Sequence, residues 1–519
     1  MFPFTWGKKG KRQLSSKEFT DIFENLSEEN NIWKRNRNGK AKKSNIGIAL
    51  TDAKMKSFYS AYQFFNEAGR SIVFDESENE IVSKFQVKEE FLKHGNSQYV
   101  ITLKSKELRL DIDGIYLKVF NTGIVMFYME CKNYEHRSIE EVKLINEYGR
   151  RVSLSFWPED VNAYKKCADK LSICINNEDM FTDDFRGFIE KVSKDKNEKV
   201  SLTYISTIIR GLLCKNGKDI HFRAKEPNLK GNEIQIKPIL DGKMYVSCCI
   251  ADIDAGIQIK KGFDEDTNSF SEKQEINLTE LINVDLEGHC AYTNKNERKS
   301  FLAKHLYLSE FGGDKPKLLG ITEQSCVKII IPEYDQSGNQ INEFEIDYHN
   351  NIYNQIVIVG IAQRMAIANF MQEISRISRG IEDLKKKMTN IDVMRIMELQ
   401  ERFVAFQNQF LLFEVTAQRE GIHIYNKIQK ELHVKEENDT LSSRLSGIYE
   451  LANINQGYRF NKWALVLSTV ALICATFGAI NDANTIGSLS FAKYSGYAVV
   501  TIGAVICSLI IGFVLKKKY

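Results

Sequence analysis

The sequence predicts an α+β protein joined to an all-helical membrane region, with a cytosolic α/β domain of one or two lobes over residues 1–345, a long-helix stalk over 346–461 and a transmembrane hairpin over 462–519. Three observations support this. Strand-like runs separated by turn signals fill the N-terminal part, and uninterrupted helical periodicity begins near residue 350. Two apolar runs, 463–480 and 497–515, then close the chain, each about long enough to cross a bilayer core of roughly 30 Å.

The charges beside the two apolar runs predict how the hairpin is oriented. Arg459 and Lys462 precede the first run, and residues 516–518, all lysine, follow the second. The connection between the runs carries only Asp482 and Lys493. Because positive residues in short flanks stay on the cytoplasmic side, both termini are predicted to be cytoplasmic and the protein to be a multi-pass protein of the cell membrane.

Composition and motifs exclude several classes of protein. A net charge of +3 on 519 residues, with 27% charged residues, is typical neither of a nucleic-acid-binding protein nor of a disordered chain. Ten cysteines without a C-x-x-C pair favour a reduced compartment over a disulfide or zinc framework. No H-E-x-x-H, G-x-S-x-G or phosphate-binding glycine loop occurs, so we predict no catalytic site, no metal site and no direct nucleic-acid partner.

Strand signals dominate the N-terminal domain. Runs at 99–103, 108–112, 115–120 and 124–129 are separated by turn signals, among them Asp113-Gly114. Ser138 and Glu141 then form a capping box that predicts a helix ending at Gly149. Further predictions are a helix over 202–214, a strand over 326–331, a polar insertion over 256–299, and strands over 233–240 and 244–250 that meet across a turn.

Helical periodicity predicts a stalk of long helices over 361–388 and 391–432. The second of these carries a stripe of phenylalanines: Phe403, Phe406, Phe410 and Phe413. A third helix is predicted from about Asn438, and it continues into the first apolar run without a break. Its apolar seam, suited to contacts between copies of the chain, consists of Leu441, Leu445, Ile448 and Ala452.

A pore formed by the hairpin requires several copies of the chain, because two transmembrane helices cannot enclose one. Thr469 and Thr476 lie one heptad apart on one helix face and are predicted to line such a pore. The alternative is that each hydroxyl bonds to a carbonyl of its own helix.

The layout of a long helix, a first span, a short connection, a second span and a basic tail resembles the CorA-type divalent cation channels. That family carries Gly-Met-Asn after the first span. Here Ala479 and Ile480 replace Gly and Met, and only Asn481 matches. The resemblance implies a CorA-like fold with Asn481 at the pore, and the substitutions imply that the magnesium filter is lost.

Several segments resemble a divergent branch of that family, the CorA-like membrane effectors associated with type III CRISPR systems. These segments are residues 144–151, 319–325, 352–358 with 362–364, and 413–422. The resemblance implies an antiviral effector of the bacterial inner membrane. It also implies that a signal nucleotide, such as adenylated S-adenosylmethionine (SAM-AMP), binds the cytosolic part and that the protein then opens or disrupts the membrane.

The same resemblance implies a homo-oligomer, a pentamer by analogy, that contacts membrane lipids and has Mg²⁺ as a possible further ligand. A constitutive CorA-type channel for magnesium or another divalent cation is the alternative function. A protein that only anchors its cytosolic domain to the membrane is a third.

Six residues are predicted to hold the nucleotide. They are Arg150, Arg151, Gln363, Arg364, Glu414 and Gln418. Arginine binds phosphate bidentately, and the other side chains place polar groups on apolar helices. The alternatives are structural: the two neighbouring arginines compensate the negative end of the preceding helix, and the others form ion pairs between helices.

Overall fold

The computed structural model describes residues 1–8, 32–36, 53–75, 81–153, 167–194, 206–213, 220–221, 234–239, 242–264, 266–267, 269–286, 288, 290–307, 317–338, 340, 342–382 and 389–486. The chain packs as two compact units. The first comprises residues 1–372 with 402–441, and the second comprises residues 373–401 and the described residues from 442 onward. The functional boundaries predicted after residues 345 and 461 stay predictions.

The first unit is built on a ten-stranded sheet in the part of the chain that is described. Its strands are β1 (Phe2–Lys8), β2 (Trp33–Arg35), β3 (Val82–Val87), β4 (Ser97–Thr102), β5 (Glu107–Phe120), β6 (Ile124–Lys132), β7 (Lys170–Ile175), β8 (Glu178–Asp184), β9 (Ile220–His221) and β10 (Ile234–Pro238). The main order is β8-β7-β4-β5-β6-β1-β10-β9, and β3 joins β2 to β5. Five helices accompany this sheet: α1 (Ala53–Phe64), α2 (Glu67–Val73), α3 (Ile139–Gly149), α4 (Phe185–Lys194) and α5 (Thr207–Leu213).

Strand β5 runs unbroken through the predicted turn at Asp113-Gly114, so that prediction is wrong. The register between β5 and β6 shifts between Ile112 and Gly114, which is a β-bulge. A bulge absorbs one extra residue and bends the strand without reversing it. As a result, β4 pairs with the first half of β5 and β3 with the second half.

The predicted N-cap of α3 is confirmed, and the Glu141 carboxylate accepts a hydrogen bond from the Ser138 hydroxyl at 3.3 Å. Ser138 is the N-cap, and its hydroxyl accepts a hydrogen bond from the amide of Glu141 at 3.2 Å. This satisfies one of the amides that the first helical turn leaves free. Ile145 and Tyr148 of this helix then pack against the apolar core on one face of the sheet.

A second sheet has the order β11-β16-β15-β14, with β11 and β16 parallel. Its strands are β11 (Val246–Ala251), β14 (Leu306–Tyr307), β15 (Lys317–Ile321) and β16 (Ser325–Ile330). The predicted pairing of strands 233–240 and 244–250 is therefore wrong, because β10 pairs with β1 and β11 with β16. The predicted polar insertion folds into three helices, α6 (Ile253–Lys260), α7 (Glu272–Asn283) and α8 (Lys295–His305), and a small hairpin of β12 (Phe263–Asp264) and β13 (Ser269–Phe270).

The described residues of the C-terminal half are largely helical, as predicted. Its elements are α9 (Phe344–Tyr348), a π-helical turn (His349–Tyr353), α10 (Asn354–Glu382), α11 (Asn390–Gln409), α12 (Arg419–Glu431) and α13 (Val434–Ile486). The single helix predicted over 391–432 is wrong, because the chain leaves the helix between Gln409 and Arg419. Phe413 lies in this connection and is 91% exposed, whereas the other three phenylalanines of the predicted stripe are buried.

The apolar seam of α13 packs within its own chain. Ile448 and Ala452 join a small core with Val393 and Ile396 of α11. The seam was expected to supply contacts between copies, and this part of it is already used inside one unit.

The predicted transmembrane hairpin is contradicted, and with it the membrane and ion-channel assignments and the inner-membrane location. A bilayer-crossing helix needs about 20 predominantly apolar residues. Within the described residues, no helix has that length and apolar character together. The first apolar run forms the end of α13, a helix of 53 residues that continues through the predicted connection at 479–482. The second run, 497–515, lies outside the described residues.

Candidate functional site: a lysine–tyrosine recess

Arg150 and Arg151 share the carboxylate of Glu147 in the interior of the first unit. Arg150 donates from Nε and Nη2 to Glu147 Oε2, at 2.9 and 2.7 Å, and from Nη1 to Gln324 Oε1 at 2.9 Å. Arg151 donates from Nη2 to the other oxygen of Glu147. All three side chains are buried. A structural ion network accounts for these contacts, and a ligand at these arginines stays a prediction.

The other predicted ligand residues are spread over the helices. Gln363 is fully buried and donates to Phe410 O at 2.7 Å and to the hydroxyl of Tyr425 at 3.1 Å. Arg364 lies 3.7 Å from a carboxylate oxygen of Glu437, an ion pair between α10 and α13. Both side chains therefore connect helices in this structure.

Glu414 and Gln418 do not lie on a long helix. Both are exposed in the connection between α11 and α12, and Gln418 is the N-cap residue of α12. The backbone carbonyl of Glu414 accepts a hydrogen bond from Asn66 Nδ2 at 3.2 Å. The six predicted ligand residues therefore divide among a buried ion network, an interface between helices and an exposed connection.

The predicted pore residues are described only in part. Thr469 is 8% exposed, and its hydroxyl donates to Leu465 O at 2.7 Å. That bond to its own helix is the alternative expected for this side chain. Thr476 and Asn481 have a helical backbone within α13, and their side chains lie outside the described set.

A different part of the first unit brings chemically reactive groups together. Alternate residues of β3, β5 and β6 face opposite sides of the sheet. One side is apolar and carries, for example, Phe85, Leu117 and Phe127. The other side carries lysines, tyrosines and a glutamate, which we call the lysine–tyrosine recess: Lys84, Tyr116, Lys118, Tyr128 and Glu130.

Strand register brings the two lysines and the two tyrosines together in pairs. Lys84 of β3 lies directly opposite Lys118 of β5, and Tyr116 of β5 lies directly opposite Tyr128 of β6. Side chains of directly opposed residues on neighbouring strands are in contact distance. The tyrosine rings stack, with centroids 4.9 Å apart and planes 17° apart. The amine of Lys84 lies 4.9 Å from the centroid of the Tyr116 ring, a cation–π contact.

Lys118 is the most enclosed member of the recess. Its side chain is fully buried, and Nζ donates to Val73 O at 2.7 Å and to Gln355 Oε1 at 2.5 Å. These acceptors lie at the end of α2 and the start of α10. Burial lowers the pKa of Lys118 well below its usual range, the nearby charge of Lys84 lowers it further, and the charge of Glu130 opposes both effects.

Glu130 and Gly114 shape the other end of the recess. Gly114 lies opposite Glu130 at the bulge, and a Cβ at Gly114 would lie 2.4 Å from the hydroxyl oxygen of Tyr116. The missing side chain lets the Tyr116 ring lie back along its own strand. Burial raises the pKa of Glu130, and the charge of Lys84 opposes that effect.

Three side chains of the recess are only partly buried. Lys84, Tyr116 and Glu130 remain partly exposed, although burial shifts the pKa of each away from its charged form. Such groups lie below the surface yet in reach of solvent. Among the described residues, neither lysine of the recess forms an ion pair with a carboxylate. The recess therefore brings two lysine side chains and an aromatic pair together at one place.

The sequence analysis missed this site, although a signal was present. Gly114, Tyr116 and Lys118 alternate with Ile115, Leu117 and Val119, which is the period of a strand with one polar side. A lysine within such a strand has to face a partner or solvent. The pattern identifies the face, but the partners Lys84 and Gln355 follow only from the fold.

The described residues contain no group of three His, Cys, Asp or Glu side chains able to hold a metal ion. No protein-family model matches the chain, and no curated protein matches it significantly.

Proposed function

We propose that the protein is a nucleotide-responsive sensor in antiviral defence, the role that its resemblance to the type III CRISPR-associated effectors implies. The signal nucleotide, for which SAM-AMP is the first candidate, binds in the lysine–tyrosine recess. The observation that supports this is the pairing of Lys84 with Lys118 beside two stacked tyrosines. Opening of a membrane and constitutive cation conduction both require the contradicted hairpin and form no part of the proposal.

The chemistry of the recess suits a nucleotide. A phosphate group needs positive charge, and lysine supplies it as a compact point charge. A base needs an aromatic surface, and stacking on aromatic side chains is worth about 1–3 kcal/mol per base. Glu130 adds an acceptor for a ribose hydroxyl or an exocyclic amine of the base. The recess holds all three kinds of group on neighbouring strands.

Nucleotide binding tests the proposal directly. Titration calorimetry with SAM-AMP, and with ATP and AMP for comparison, is expected to detect binding to the full chain. Lys84→Ala and Lys118→Met are each expected to weaken binding by about 10- to 100-fold, because a hydrogen bond to a charged group contributes about 1.5–3 kcal/mol.

Lys132→Ala is the matched control. Lys132 lies on β6 in the same sheet, but it is half exposed and pairs with Asp113 at 2.9 Å. Its replacement is expected to leave affinity unchanged. Absence of binding to the wild type would refute the function. If the wild type and both recess variants bind the nucleotide equally well, the nucleotide binds at another site.

A further inference from the structure

Helix α2 lies between the lysine–tyrosine recess and the connection from α11 to α12, and all three belong to the first unit. At the C-terminal end of α2, the carbonyl of Val73 accepts a hydrogen bond from Lys118 Nζ at 2.7 Å. The last four carbonyls of an α-helix have no partner within the helix, and Lys118 supplies one for Val73. The recess is therefore bonded directly to one end of α2.

At the other end of α2, Asn66 bonds to the connection. Asn66 is the N-cap residue, and its Oδ1 accepts a hydrogen bond from the amide of Gly69 at 2.7 Å. Its own amide donates to Val415 O at 3.0 Å, and its Nδ2 donates to Glu414 O at 3.2 Å. Asn66 thus joins the start of the helix to two carbonyls of the connection.

The connection also packs closely against α2. A Cβ at Gly69 would overlap the carbonyl oxygen of Val415, so the two segments touch along their backbones. Gly69, Ile72 and Val73 are buried. Seven residues at 1.5 Å each make α2 about 10 Å long. A short buried helix that is bonded at both ends moves as one body, so a shift at one end reaches the other.

The first half of the connection has a different support. Gln363 of α10 donates to Phe410 O, and Tyr425 of α12 donates to Leu412 O, both at 2.7 Å. These residues are bonded to the long helices, so they provide an internal reference for any movement of α2.

The second half of the connection, residues 414–416, is bonded to the segment around α2. Besides the two bonds from Asn66, the hydroxyl of Thr416 donates to Phe64 O, and Thr416 forms a β-bridge with Phe65. Phe413, which is 91% exposed, lies between the two halves. The position of residues 414–416 therefore depends on α2 and its N-terminal flank.

We propose that α2 is a conformational link through which the recess controls how tightly residues 414–416 stay docked. Loss of the Lys118 contact leaves the buried carbonyl of Val73 without its donor, which makes the docked position of α2 less stable. Because α2 and residues 414–416 are bonded together, they open as one unit. The link needs no nucleotide and goes beyond the proposed function. Any change at the recess that moves Lys118 loosens the surface on which Phe413 is exposed.

Hydrogen exchange in the full chain, without ligand or denaturant, measures this opening. The reporters are the amides of Asn66 and Gly69, which are bonded in the docked arrangement. In Lys118→Met their exchange is expected to rise at least about fivefold, because an unsatisfied buried carbonyl raises the opening constant by that order. The amide of Leu411, which donates to Phe406 O at 3.1 Å, should exchange as in the wild type.

Lys143→Met is the matched control for the loss of a buried lysine. Lys143 is also buried, and its Nζ donates to Asn277 and Glu280 of α7 at 2.9 and 2.7 Å. Its replacement should leave exchange at Asn66 and Gly69 unchanged. Equal increases in Lys143→Met and Lys118→Met would show a general loss of stability and would overturn the link.

The opposite end of the link gives a second test, which decides if Lys118→Met does not fold. Thr416→Val removes the hydroxyl that bonds to Phe64 O and leaves α2 itself unchanged. Because coupling is reciprocal, exchange of the Phe74 amide, which donates to Arg70 O at the far end of α2, should rise at least about threefold.

Thr279→Val is the control for this second test. Thr279 is buried in α7, and its hydroxyl donates to Glu275 O at 2.6 Å. The change should leave exchange at Phe74 as in the wild type. Unchanged exchange at Phe74 in Thr416→Val, or equal increases in Thr416→Val and Thr279→Val, would overturn the link. The proposed function is tested by nucleotide titration and is unaffected by either result.

Discussion

At the scale of single residues, the interior of the first unit holds charges that depend on one another. Glu147 accepts hydrogen bonds from both Arg150 and Arg151, and all three are buried. Burying a charge is costly unless it is paired. One carboxylate therefore stabilises two guanidinium groups.

Glu147→Gln should be strongly destabilising for that reason. The amide keeps the shape but removes the negative charge that both buried guanidinium groups share, a loss of about 3–5 kcal/mol in the free energy of unfolding. Urea denaturation followed by circular dichroism measures it. Glu140→Gln, at an exposed position of the same helix, is the control and should cost less than about 1 kcal/mol. Similar costs for the two variants would show that the network contributes little.

The ion pairs of this network can be predicted from the sequence, but their burial cannot. A glutamate three and four residues before two arginines predicts ion pairs on a helix surface. Burial of all three groups depends on Gln324 and Val284, which lie over 130 residues away in sequence. Spacing along one helix carries no information on such distant contacts.

At the scale of elements, α10 and α12 approach closely at a glycine. A Cβ at Gly360 would lie 2.4 Å from Cγ2 of Ile428. That methyl group is attached directly to Cβ of a branched side chain and has little freedom to move. Close approach of the two helices therefore depends on the absence of a side chain at Gly360.

A double-mutant cycle tests this contact. Gly360→Ala should destabilise the first unit by about 1–3 kcal/mol through overpacking, although alanine is the better helix former. In an Ile428→Ala background the clash is gone, and the same change should become neutral or stabilising by up to about 1 kcal/mol. The free energies of unfolding in urea give all four corners of the cycle.

Gly447→Ala supplies the matched control in α13. A Cβ there would have no neighbour within 4 Å, so this change should stabilise by about 0.5–1 kcal/mol. If Gly360→Ala stabilises the wild type as Gly447→Ala does, the contact with Ile428 does not determine how closely α10 and α12 approach.

Local sequence signals predicted individual elements well. The predictions were wrong where contacts between distant residues determine the structure. The N-cap bond of Ser138 joins residues three positions apart, and it was predicted correctly. The break between α11 and α12 is held by Thr416, which pairs with Phe65 and donates to Phe64 O. Those partners lie more than 340 residues away in sequence. Apolar periodicity alone continued the helix through this segment.

At the scale of the whole molecule, the candidate site depends on pairings that the sequence does not specify. Gln355 is 237 residues from Lys118, and the register of β3 on β5 fixes which lysines meet. A slip of one residue would turn Lys84 to the apolar face. The class of the N-terminal part, α/β, was predictable, but the recess exists only through this register.

Acid stability of the first unit should depend on His349, in the π-helical turn. His349 is 1% exposed, its Nε2 lies 3.0 Å from Ser247 Oγ, and its Nδ1 has no hydrogen-bond partner among the described residues. Burial lowers the pKa of His349 to about 3, and the charge of Lys328 acts in the same direction. In the unfolded chain a histidine titrates near 6.5. Between these values the unfolded chain binds a proton that the folded unit does not bind.

Stability should therefore fall as the pH decreases from 6.5 towards 3, by up to about 1.4 kcal/mol per pH unit from this group. Above pH 6.5 the group is neutral in both states and adds no pH dependence. Between pH 7.5 and pH 5 the wild type should lose about 2 kcal/mol more than His349→Gln, measured as free energies of unfolding in urea. His423→Gln, at an exposed histidine, is the control and should follow the wild type. Parallel curves for the wild type and His349→Gln would mean that His349 takes up its proton equally in both states.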